Sequence, residues 1–208
     1  DRISVGYLSV AKAIEYDPEF VEPDALHAVR PASAAEYVTI SVGSGVINDL
    51  CKLASHHYGQ SYLTLPTAAS VDGFSSFGAS ISYHNSKQTF SCPAPKVIIA
   101  DIDVIASAPK AMTAAGYADL AAKVPAGAEW MIADLMGTEP IKPDAWHVLQ
   151  DCLDDLLAHP EGVAKGDKQA VADLFEGLTL SGIAMQGAQS SRPASCCDHL
   201  FSHILDMT

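Results

Sequence analysis

Two histidines four residues apart, His199 and His203, stand in the stretch SCCDHLFSHILDMT at 195–208. On a helix that spacing sets both rings on one face, where they can reach a single ion or substrate. Cys196, His199, Leu200, His203, Ile204 and Met207 fall along one stripe, which predicts a helix turned toward a core. Asp198 stands beside the pair. A catalytic metal site needs at least three protein ligands, so two histidines make only part of one. Earlier in the chain, Asp119 sits among alanines, a leucine and a tyrosine in AAGYADLAAK. If buried, that carboxylate demands a partner; the alternative is an exposed helix position.

A second kind of chemistry is available where a strand gives way to a helix. In SVGSGVINDL, 41–50, Gly43 and Gly45 occupy such a turn. Glycines there let a pyrophosphate approach the backbone, and a helix N-terminus offers N–H donors and the positive end of its dipole. The spacing is not the GxGxxG fingerprint, and a glycine turn is also ordinary architecture. Further on, LTLPTAASVDGFSSFG, 63–78, brings Thr67, Ser70, Asp72, Ser75 and Ser76 together with little bulk. A loop at the carboxyl end of a parallel strand is the usual ligand position of open α/β sheets. A polar turn with Asp72 capping backbone is the competing reading.

These residues need elements to hold them. EYVTISVGSG (36–45), SYLTLPTAAS (61–70) and KVIIADIDVI (96–105) read as strands, the last apolar enough to be buried on both faces. GVINDLCKLASHHYG between the first two has helical spacing, and strand–helix–strand order predicts a parallel sheet. After Ala106 the chain becomes alanine-rich and helical. Pro125 is expected to kink or break the first helical stretch. DAWHVLQDCLDDLLAH starts with an Asp144 cap signal and carries Val148, Leu149, Cys152, Leu153 and Leu156 on one face. DKQAVADLFEGLTLSGIAMQ repeats the pattern with Val171, Leu174, Leu178 and Met185. An α/β part over residues 1–106 and an all-helical part over 107–208 are therefore expected.

Composition narrows the partners. With 12 basic and 25 acidic residues the net charge is −13, and no basic cluster is present. Nucleic acid and anionic membranes need clustered Lys or Arg, so neither is an expected partner. No apolar run is long enough to span a bilayer. The five cysteines lack CxxC spacing, and the adjacent Cys196–Cys197 pair is poorly placed for a mutual disulfide on a helix. Reduced thiols in a cytoplasmic protein are expected. The absent initiator methionine and an apolar helical pattern without a stop signal at Thr208 suggest part of a longer protein.

In this order, VGSGVINDLCKLAS, LPTAASVDGFSSFGASIS, KVIIADIDVI, AAGYADLAAK and SRPASCCDHLFSH resemble the sn-glycerol-1-phosphate dehydrogenases. These belong to the glycerol dehydrogenase, iron-alcohol dehydrogenase and dehydroquinate synthase superfamily. The resemblance runs from about Tyr37 to the end, more weakly at 81–95 and 132–170. It implies an α/β N-terminal nucleotide-binding domain with a parallel sheet, followed by an all-helical metal-binding domain. The implied activity is NAD(P)H-dependent, metal-dependent reduction of dihydroxyacetone phosphate to sn-glycerol 1-phosphate.

Carried over by position, Gly45, Val46, Ile47, Asn48 and Asp49 line the cofactor pyrophosphate. Thr67, Ala68, Ala69, Ser70 and Ser76 touch the cofactor further along. Asp119 and His199 become metal ligands, Asp119 near substrate as well, while Asp72 and His203 contact substrate and are the expected catalytic pair. A third ligating histidine is expected beyond Thr208. Zinc suits the mixed nitrogen and oxygen donors, and nickel or iron fit the same set. The pattern departs from the family at Asp198, at Cys196 and Cys197, and at Tyr117 and Ala118, none of which is a proposed ligand. Arg192 and Lys87 are the expected cations for the substrate phosphate, and a homo-oligomer is expected. A polyol dehydrogenase of the same superfamily and a truncated, non-catalytic nucleotide-binding chain are the alternatives.

Overall fold

The computed structural model describes residues 38–83 and 86–206. Residues 1–37, which open the expected α/β part, and Met207 of the histidine stripe lie outside them. In chain order come β1 (Thr39–Gly43), α1 (Gly45–His57), β2 (Tyr62–Pro66), a 3₁₀ turn (Asp72–Phe74), β3 (Ala79–Tyr83), β4 (Ser86–Phe90) and β5 (Val97–Ile98). The helices α2 (Ile102–Ala106), α3 (Lys110–Ala121), α4 (Lys123–Leu135), α5 (Pro143–Gln150), α6 (Leu153–Leu156), α7 (Pro160–Lys165), α8 (Lys168–Ala188) and α9 (Cys197–Asp206) follow.

The sheet is parallel, as expected, in the order β1–β2–β5, with Thr39 opposite Tyr62 and Leu63 opposite Val97. Its pleat alternates inside and out, but in β1 the buried residue is Ser41, while Ile40 and Val42 are exposed. The expected strand 96–105 is a correction. Only Val97 and Ile98 pair, and Val97 and Ile99 are exposed. Asp101 ends the run because its carboxylate accepts the N–H groups of Asp103 and Val104, and so caps α2. The antiparallel hairpin β3–β4 was not expected from the sequence.

Helix α8 is the hub of the helical part. Asp167 caps it by accepting from Gln169 and Ala170 N–H, and Val171, Leu174 and Leu178 are buried as their spacing predicts. Fully burying one such leucine contributes roughly 1.5–3 kcal/mol. Phe175 meets Phe74 of the 3₁₀ turn with ring centroids 6.2 Å apart. The break between α3 and α4 falls at Ala122, just ahead of Pro125, whose ring would clash with the carbonyl four residues back in a continuous helix. The expected helix at 144–159 is instead split into α5 and α6, with Pro143 at the first position of α5 and Asp144 in its first turn rather than at the cap.

Two helical glycines decide how closely these parts meet. A Cβ on Gly116 of α3 would lie 1.9 Å from the Ala69 carbonyl oxygen. One on Gly182 of α8 would lie 2.6 Å from the Ser76 nitrogen. The segment 69–76 is thus gripped between two helices at distances only glycine permits. Among the described residues, no helix is long and apolar enough to cross a membrane. Because the obstructing atoms are backbone, Gly116→Ala and Gly182→Ala are each expected to cost at least about 2 kcal/mol, read as a lowered urea midpoint with unchanged slope.

A candidate metal and substrate site

The gripped segment delivers Asp72 to the neighbourhood of α3. Asp119 lies in the last turns of α3, and one of its oxygens accepts the Asp72 backbone N–H at 2.8 Å. Its other oxygen meets Lys123 Nζ at 2.8 Å, and Lys123 also pairs with the Asp72 carboxylate at 2.9 Å. Ser181 of α8 donates to that same Asp72 oxygen at 2.8 Å. Asp72 thus binds across to two helices instead of capping its own turn. The Lys123 side chain has no exposure at all, and a charge so buried is tolerable only when paired and hydrogen-bonded.

His199 brings in α9, with Nε2 3.6 Å from the same Asp119 oxygen that Lys123 holds. Its Nδ1 is 3.6 Å from Asp198. Burial works to raise the Asp119 pKa, but His199 and Lys123 outweigh it and bring it down to about 2. The Asp119 carboxylate beside it raises the His199 pKa against its partial burial. The Lys123 pKa is likewise raised, because the charges of Asp72 and Asp119 overcome desolvation. His203 is on α9, four residues on. The stripe that carries both histidines is a correction. Cys196 precedes the helix, and Leu200 and Ile204 are 66 % and 54 % exposed, so the apolar residues flanking the histidines do not reach a core among the described residues.

The residues expected at a cofactor lie in the first turns of α1 and on both sides of Asp72 along the chain. Ser44 caps α1 without a side-chain hydrogen bond, which leaves the first N–H groups of the helix for other acceptors. Gly45 is close-packed, since a Cβ there would touch Val71 at 3.0 Å. Val46 is exposed, and Ile47 packs against the hairpin core. Asn48 is buried, donating to the Gly73 carbonyl at 3.1 Å and accepting from Tyr62 at 3.1 Å. Asp49 accepts the Ser80 N–H at 3.1 Å, and burial raises its pKa despite Lys52 nearby. Thr67 donates its N–H to Gly43, Ala68 is buried, and Ala69 and Ser70 lie against Gly116 of α3. Ser76 donates to Gly73.

Two lysines that sequence reasoning did not single out organise this region. Lys123 is the first, and its spacing of four from Asp119 was the available signal. Lys52 of α1 is the second. Its ammonium donates to the carbonyls of Gly73, Ser76 and Gly78 at 2.8, 2.9 and 2.9 Å. Burial depresses its pKa. Arg192 and Lys87 are the two cations expected at the substrate phosphate. Arg192 pairs with Glu139 at 3.1 Å and Glu129 at 3.6 Å, and Lys87 is exposed on β4.

Asp119 and His199 offer an oxygen and a nitrogen donor to one space, which fits a divalent ion of borderline softness. The α1 N-terminus beside Gly45 fits a phosphate-bearing cofactor in the same general sense. The family described as iron-containing alcohol dehydrogenase matches residues 9–109. The glycerol-1-phosphate dehydrogenase [NAD(P)+] of Halalkalibacterium halodurans is 36% identical over 170 residues, 82% of this chain and 43% of that protein. The enzyme of the same name from Pyrococcus horikoshii is 39% identical over 168 residues, 81% of this chain and 49% of that protein. The chain therefore spans about half the length of the curated relatives it matches. Among solved structures, glycerol dehydrogenase from Schizosaccharomyces pombe superposes with a TM-score of 0.61 at 22% identity, over 77% of this chain and 43% of that one.

The charge on Asp119 makes stability depend on pH. Its neighbours bring its pKa down to about 2 from the ordinary aspartate value of 3.8, so its contribution is present above about pH 4 and fades as pH falls toward 2. Between those limits wild type is expected to lose about 2 kcal/mol that Asp119→Asn does not lose. Urea unfolding of both proteins at stepped pH measures the difference, and parallel curves would refute it.

Proposed function

We propose, for a chain homologous to the glycerol-1-phosphate dehydrogenases over about half their length, that the protein reduces dihydroxyacetone phosphate to sn-glycerol 1-phosphate with NAD(P)H. The observation that carries this reading is the convergence of Asp72, Asp119, Lys123 and His199 from four separate elements. In this reading Asp119 and His199 hold a divalent ion, zinc by the softness of its donors. Such an ion supplies Lewis acidity to the substrate ketone, and the nicotinamide supplies hydride.

The chain's own residues bind and orient. Gly45 to Asp49, with Thr67, Ala68, Ala69, Ser70 and Ser76, line the cofactor. Asp72 and His203 receive substrate hydroxyls as the catalytic pair, with Asp119 close by. Lys123 helps keep Asp119 ionised and, by pairing with both carboxylates, fixes the distance between Asp72 and Asp119. It also places a positive charge beside the developing alkoxide, a favourable position in a low-dielectric site. A boundary near residue 106 then divides a nucleotide-binding part from a helical metal-binding part. The cytoplasm and a homo-oligomer are the proposed setting.

The test compares NADH and NADPH oxidation with dihydroxyacetone phosphate and with dihydroxyacetone, using protein supplied with zinc. Preference for the phosphorylated ketone is the expected result, and Asp72→Asn is expected to lower kcat/KM by at least about a hundredfold. Preference for dihydroxyacetone would assign the site to an unphosphorylated polyol. Oxidation of neither nucleotide would favour a non-catalytic nucleotide-binding chain.

A further inference from the structure

The adjacent thiols Cys196 and Cys197 take no part in the reaction just described, and the structure gathers other metal donors around them. Cys196 is buried and Cys197 exposed, at the entrance to α9. Both sulfurs and a carboxylate oxygen of Glu129, which comes from α4, lie within 4.8 Å of one another. Asp198 supplies a further carboxylate, since the Cys196 thiol donates to it. The Cys197 N–H donates to Glu129 Oε2 at 3.3 Å, which ties the start of α9 to α4 and holds the cluster in register. Among the described residues this is the one grouping of at least three histidine, cysteine or acidic side chains so close together.

The distances suit coordination. Zinc–sulfur bonds of about 2.3 Å and zinc–oxygen bonds of about 2.0–2.2 Å place tetrahedral neighbours roughly 3.5–3.8 Å apart. Shifts of about 1 Å or less therefore bring the three donors onto one ion. Two sulfurs with carboxylates select a soft or borderline divalent ion over magnesium or calcium. Arg192 competes for the same carboxylate, with NH1 3.6 Å from Glu129 Oε2, but its Nε also meets Glu139 at 3.1 Å. Glu139 can keep the guanidinium when a cation takes Glu129.

We infer that Cys196, Cys197 and Glu129, with Asp198 beside them, form a second divalent-metal site of thiolate character, whose sulfur donors are distinct from Asp119 and His199 and which adjoins that pair through Asp198. Binding forms two metal–sulfur bonds, breaks two S–H bonds and releases both protons to solvent. The inference does not rest on the dehydrogenase reading, because the two thiols and Glu129 have no role in the proposed reaction.

Cadmium is the probe, because its bonds to sulfur give a near-ultraviolet charge-transfer band that imidazole and carboxylate ligands do not produce. Titration of the reduced full chain is expected to raise this band to saturation at one cadmium per chain. Cys197→Ser, at an exposed position that leaves the fold undisturbed, is expected to abolish the band. Cys152→Ser and Asp119→Asn are expected to retain it, the latter while losing a donor of the other site. Absence of the band in wild type, its persistence in Cys197→Ser, its loss in Cys152→Ser, or saturation at one cadmium per two chains would each overturn the inference. Because the readout is sulfur ligation, it stands or falls independently of turnover.

Discussion

An ammonium without water around it sets the terms for the centre of this molecule. Lys123 must find its counter-charges inside the fold, since an isolated buried charge would cost several kcal/mol. It finds them in Asp119, one turn earlier, and in Asp72, from a different part of the chain. The first partner follows from helical spacing across the break at Ala122. The second requires the segment 69–76 to come within bonding distance of α3 and α8. Gly116 and Gly182 make that approach possible. The glycines therefore serve the ion pairs, and the ion pairs fix where a substrate and metal would meet.

Much of this was legible in the sequence, and the rest was hidden for identifiable reasons. The β1–α1–β2 unit showed itself through β-branched runs separated by Gly43 and Gly45. The helix over 168–188 showed itself through Val171, Leu174 and Leu178. Asp119 stood out as a lone carboxylate among apolar residues. Lys123 did not, because lysines ordinarily face water and only a partner from another segment marks this one as internal. Gly116 and Gly182 gave no signal, since the atoms that forbid a side chain there are distant in sequence. KVIIADIDVI misled because apolar content indicates burial only where a neighbour exists to cover it. Asp101 stopped the strand with a hydrogen-bonding preference that hydrophobic periodicity does not report.

Charge is arranged locally against the trend of the whole chain. The protein is strongly acidic overall, yet among the described residues Lys52 and Lys123 are the two largest polar side chains with almost no exposure. Arg192 is half-buried between Glu129 and Glu139, and Lys87 is exposed on β4. The fully buried cations set the geometry of the groups that face them, while Arg192 and Lys87 keep some contact with water. His199 stands beside the buried cations, since it shares an Asp119 oxygen with Lys123. Imidazole and ammonium thus compete for one carboxylate, and a divalent ion at that oxygen would have to rearrange both.

The three carbonyls around Lys52 have a further consequence. Gly73, Ser76 and Gly78 turn their oxygens inward on one ammonium, much as a crown ether encloses a monovalent ion. Here the guest is covalently tethered to the host through α1 and cannot leave. A loop built this way needs neither potassium nor sodium to hold its shape. The curvature of the segment that presents Asp72 is thereby insulated from the salt composition of the surroundings, with its counter-cation written into the chain.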